Sequence, residues 1–60
     1  MSANNYILIN KKTFAIKDCD IESTDGLLVE QGKTLEEAIE IAEKYMKENI
    51  VEYGIHFQKK

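Results

Sequence analysis

Sixty residues with a net charge of −3, 43% of them hydrophobic and 32% charged, describe one small folded domain rather than a disordered tail. A chain this short buries only roughly 60% of its unfolded surface, so its core is small and self-association would help it. There is no arginine, and the eight lysines are scattered, so direct binding of nucleic acid through neutralised phosphates is not expected.

The first apolar run, Tyr6–Ile9, is β-rich and only four residues long. It is too short for the core of a signal peptide or for a membrane span, so no membrane association is expected. A polar turn, Asn10–Thr13, separates it from a second strand over Phe14–Lys17, with Phe14 and Ile16 on one face. Leu27–Gln31 reads as a third strand.

Between the second and third strands lies "DCDIESTDG", residues 18–26, with four carboxylates in nine positions. With Asp18 as the first ligand of a calcium loop, Asp20 and Glu22 take the third and fifth places. The pattern then fails, because Ser23 stands where the turn glycine belongs and Val29 where the bidentate glutamate belongs. Two readings stay open. Thr24-Asp25-Gly26 is a turn and the acids solvate a long connection, or Asp18, Asp20, Glu22 and Asp25 form a partner-binding surface. If the second strand runs on, Asp18, Asp20 and Glu22 share one of its faces, and Cys19 and Ile21 share the other. Cys19 is the one cysteine, which excludes an intramolecular disulfide and suits a reducing, cytoplasmic setting with a buried thiol.

Gly32 and Lys33 turn into the clearest helix, "TLEEAIEIAEKYMKEN". Thr34 and Glu37 have capping-box spacing, and Leu35, Ala38, Ile39, Ala42, Tyr45 and Met46 form an apolar stripe. Glu36 and Glu37 sit at the positive end of the helix dipole and make a second candidate acidic patch. Asn49 is placed to end the helix in a left-handed conformation. Residues 51–57 then alternate: Val51, Tyr53, Ile55 and Phe57 point one way, and Glu52, Gly54 and His56 the other, as in a strand with one wet face.

The expectation is a single α+β domain over residues 1–60, ordered β-β-β-α-β, with one amphipathic helix packed on one face of a small antiparallel sheet. His56 falls on the polar face without positioned companions, and no glycine-rich phosphate loop is present. No serine or cysteine has a nucleophile's partner. The chain is therefore not expected to be an enzyme or to use a cofactor or metal.

The segment "EQGKTLEEAIEIAEKYM", residues 30–46, resembles the N-terminal domain of HicB-type antitoxins and their solitary relatives, through Gly32, Thr34, Glu37 and Ala38. The resemblance implies the same element order, in a fold partly like a double-stranded-RNA-binding domain but without RNA binding. It also implies a protein that holds and blocks a small basic RNA-cleaving toxin. The leading expectation is a small inhibitor of a basic nucleic-acid-processing partner, such as a nuclease or RNA-cleaving toxin. Such inhibitors are antitoxin-like, or resemble phage anti-defence proteins of the anti-CRISPR kind. A regulatory homodimer, or a small-molecule or metal-binding domain using the acidic stretch, is the alternative.

Overall fold

The computed structural model describes residues 4–22 and 26–58. Its elements are β1 (Asn5–Asn10), β2 (Ala15–Asp20), β3 (Gly26–Gln31), α1 (Leu35–Glu48) and β4 (Ile55–Gln58). The β-β-β-α-β order is as expected from the sequence. The sheet runs β3-β2-β1-β4 and is mixed: β1·β2 and β2·β3 are antiparallel, but β4 lies parallel to β1. The parallel pair departs from the antiparallel sheet expected. Two hairpin reversals make β3 run in the direction of β1. The α1 crossover then brings the chain back to run that way again, at the far edge.

One face of the sheet meets the helix. Ile7 and Ile9 of β1 and Ile16 of β2 are fully buried against Ala38 and Ala42 of α1. Alternation accounts for the strand residues, because Ile9 stands opposite Ile16 and Ile7 opposite Asp18, which places all four on the helix side. Alanines at the two buried helix positions let the helix lie close to the isoleucines. Leu35, Ile39, Tyr45 and Met46 flank them, half-buried.

Several local features differ from the sequence reading. Phe14 adopts a left-handed backbone (φ 65°) before β2 begins, so it closes the hairpin instead of opening the strand. Its N–H donates to Asn10 O at 2.7 Å, and Asn10 Oδ1 accepts from the Lys12 and Thr13 N–H groups at 2.8 and 3.1 Å. The asparagine side chain thereby acts as the turn's scaffold. Thr34 caps α1 by accepting from Glu37 N–H at 3.1 Å. The reciprocal bond shifts by one residue, since Glu37 Oε1 accepts from Lys33 N–H at 2.8 Å. Asn49 ends the helix in an extended conformation (φ −137°), not a left-handed one. It does so by donating twice to Tyr45 O, from its backbone at 2.9 Å and its side chain at 3.1 Å.

The alternating segment 51–57 is a strand only from Ile55. Gly54 has φ 76°, a conformation that breaks the extended run, and Tyr53 is exposed rather than facing the core. Residues 51–54 form a loop tied to β1 by Tyr53 N–H to Asn5 O (3.0 Å) and Ile7 N–H to Gly54 O (2.8 Å).

Candidate interaction surface

The second strand reaches Asp20, and its alternation sends Asp18 and Asp20 to the helix side of the sheet. Their fates differ. Asp18 is half-buried, with both carboxylate oxygens engaged: Asn5 Nδ2 donates to Oδ1 at 2.9 Å and the Tyr45 hydroxyl donates to Oδ2 at 2.7 Å. The bond to Tyr45 favours the protonated hydroxyl. The hydrogen bond to Asp18 first, then desolvation, then the nearby negative charge raise its pKa above the ordinary tyrosine value. Asp18 is therefore a strut between β2 and α1.

Asp20 and Glu22 are exposed, Asp20 at the end of β2 and Glu22 just beyond it. Asp25 lies outside the described residues, as does the rest of the proposed turn except Gly26. Glu36 is exposed in the first turn of α1, whereas Glu37 is occupied by the cap. The helix start lies near the beginning of β2, where Gly32 N–H donates to Phe14 O. Asp20 and Glu22 lie at its other end, about 17 Å away along the strand. The structure thus separates the two acidic patches.

Two residues without a carboxylate stand out beside Asp20. Leu27 and Leu28, on the edge strand β3, are 81% and 61% exposed. Leu27 is opposite Asp18, on the helix side; Leu28 is opposite Lys17, on the other face. Ile21 is exposed as well. The sequence reads Leu27–Gln31 as a third strand without saying where in the sheet it lies. Leu27 is exposed at the sheet's edge on the helix side and Leu28 on the face that the helix does not cover, and the residues alone specify neither.

β3 also carries a register shift. Ile16 pairs with Glu30 but Lys17 with Leu28, so Val29 is an extra residue between them. Val29 and Glu30 both border a hollow of about 200 Å³ against Ile41, Lys44, Tyr45 and Glu48 of α1. A wider, open hollow of about 480 Å³ lies beside Leu27, Asp18 and Asp20.

The other sheet face holds Tyr6, whose ring meets His56 edge-to-face with centroids 5.0 Å apart. Desolvation first, then the Cys19 thiol through charge and a hydrogen bond, raises the Tyr6 pKa. Cys19 itself is fully buried. Among the described residues no three His, Cys, Asp or Glu side chains converge as a metal site, and no helix is long and apolar enough to cross a membrane.

No protein-family model, curated protein or solved structure matches the chain.

Proposed function

We infer that the chain is a non-enzymatic interaction module whose partner is a basic, nucleic-acid-processing protein, and that it acts by covering that partner. One observation carries the reading: the edge strand β3 exposes Leu27 on the helix side and Leu28 on the other, giving an apolar edge at the end of the sheet where Asp20 and Glu22 are also exposed. An apolar centre with a charged border is the anatomy of a protein-binding patch, and the negative border selects a positive partner. The resemblance of residues 30–46 to HicB-type antitoxins agrees with an inhibitor of an RNA-cleaving toxin or nuclease, of the antitoxin or phage anti-defence kind. The buried thiol of Cys19, outside any disulfide, suits a cytoplasmic setting.

The direct test is capture of partners by the tagged chain from its source cells, followed by a cleavage assay on any nuclease recovered. Inhibition that weakens with added salt supports the reading. A captured set without a basic nucleic-acid enzyme refutes it. A second reading, a homodimer, is favoured by the unpaired outer edge of β3. In that case sedimentation of the pure chain would give twice its 6.9 kDa mass.

A further inference from the structure

Leu27 and Leu28 are neighbours in the chain but lie on opposite faces of β3, and both are exposed. A body resting on either face of the sheet covers one of them and leaves the other in water. A strand laid in the plane of the sheet, along the outer edge of β3, sets a cross-strand neighbour beside each. No described strand occupies that edge, and alternate residues of β3 turn their N–H and C=O groups toward it. Protein sheets commonly guard such an edge with a lysine, a proline or a bulge. Residues 26–28 include neither lysine nor proline, and the bulge comes after them, where Val29 is the extra residue.

We propose that the outer edge of β3 takes a basic strand of the partner protein, paired with residues 26–28 as a further strand of the sheet. The bulge at Val29 limits the regular ladder to a length of about 10 Å. Main-chain hydrogen bonds supply the pairing, and the side chains set which sequence it accepts. Because Leu27 and Leu28 point opposite ways, the incoming strand meets an apolar neighbour on each of its faces. Two adjacent apolar residues therefore suit it. Charge decides whose strand it is. Asp20 and Glu22 stand near the Gly26 end and Glu30 just past the bulge, all exposed, against one half-buried ammonium, Lys17, opposite Leu28. A second copy would bring the same carboxylates with its own β3. Paired antiparallel, it sets its Glu30 near Asp20 and Glu22 of its mate; paired parallel, each carboxylate meets its own kind. Lysines or arginines flanking the apolar pair meet those groups with opposite charge. The sheet's other edge, β4, carries no carboxylate and leads into Lys59 and Lys60, so it lacks this attraction for a basic strand.

The proposal rests on the interaction reading above and adds the form in which the partner binds. The probe is a capped peptide of about six residues, valine and isoleucine between two pairs of lysines. One control has glutamates for the lysines. The other is methylated at the backbone nitrogens of the valine and isoleucine, which removes their donors and keeps the charge. Amide signals of Gly26, Leu27 and Leu28 in the full chain should shift saturably, and both controls should bind at least about threefold more weakly. Leu27→Gln and Leu28→Gln should each weaken binding about threefold or more, with unchanged melting because both side chains are largely in solvent. Dependence on only one leucine would overturn the edge in favour of the face that leucine lies on. No saturable shift at residues 26–28, or full binding by the methylated peptide, would overturn it as well. Sedimentation of the pure chain at twice its mass, abolished by the same two variants, would give the edge to a second copy and overturn the proposal. Capture of a basic enzyme undiminished by either leucine variant would overturn the edge and keep the interaction reading. Peptide binding as expected, without any basic enzyme among the captured proteins, would do the reverse.

Discussion

The Tyr45 hydroxyl donates to Asp18 Oδ2 at 2.7 Å, joining the C-terminal half of α1 to the middle of β2 across 27 residues of sequence. This bond takes the first residue of the acidic stretch out of solvent and gives it to the fold. Tyr45→Phe removes the donor and keeps the packing. A hydrogen bond to a charged acceptor contributes about 1.5–3 kcal/mol, and the half-exposed setting places the expected loss near the lower end. Urea melts of the two proteins measure it.

The same bond sets the response to alkali. Tyr45 and Tyr6 both have pKa values raised in the folded chain above the ordinary 10.0. As pH rises past about 10, tyrosines in the unfolded chain lose their protons first, so the unfolded state binds fewer protons than the folded one. Stability from these groups is fully present below that pH and is lost as pH climbs through the folded values. Melting temperature should fall above pH 10, and less steeply in Tyr45→Phe. Equal slopes in the two proteins would remove Tyr45 from the account.

The core places its largest cost on the sheet. Ile16 is fully buried, whereas Ile39 is only half-buried at the side of the helix stripe. Ile16→Ala should cost roughly 2–4 kcal/mol through the cavity it leaves, and Ile39→Ala clearly less. Chemical denaturation that ranks them the other way would show that the helix sits on a different face.

Glycines at two positions should respond in opposite ways to an added methyl. At Gly26 a Cβ would fall 2.6 Å from the Asp18 carbonyl oxygen and 2.5 Å from Cys19 Sγ, and the backbone oxygen cannot move without opening the β2·β3 ladder. At Gly54 a Cβ meets nothing within 4 Å, and only the positive φ opposes it. Gly54→Ala is therefore expected to cost about 1–2 kcal/mol. Gly26→Ala should cost more and should disturb amide shifts along β2.

Much of this architecture is written in short-range patterns. The stripe of α1, its Thr34 cap and the isoleucines of β1 each follow from local spacing, and the element order follows from them. What is not local is less legible. The alternation of residues 51–57 is a true period of two, yet one left-handed glycine holds the strand back to Ile55, and the periodicity is blind to backbone handedness. Which strand lies at the edge is decided by the α1 crossover, so the exposure of Leu27 and Leu28 cannot be read from "GLLVEQ". Asn5 shows a third limit. Its side chain donates to Asp18 and to Ile50 O at 3.3 Å, and accepts from Glu52 N–H at 3.4 Å, linking three segments distant in sequence. Nothing at position 5 signals that role.

The acidic stretch can now be divided by experiment. Asp18 is engaged and half-buried, while Asp20 and Glu22 are exposed. Asp18→Asn keeps the shape but weakens two charge-assisted bonds, so it should lower stability and touch partner binding little. The pair Asp20→Asn and Glu22→Gln should leave the melt unchanged and weaken capture of a basic partner about tenfold, or roughly 1.4 kcal/mol. Exposed charges act largely on the association rate and are screened beyond about 10 Å at 0.1 M salt. The loss should therefore appear in the rate of binding at low salt and shrink as salt rises. Glu36→Gln, at the other end of the molecule, serves as the control: removing a charge from the first helical turn costs about 0.3–1 kcal/mol of stability and no affinity. If Glu36→Gln weakens capture and the Asp20 and Glu22 pair does not, the partner binds at the helix start. The carboxylates after β2 then serve only to keep that connection in water.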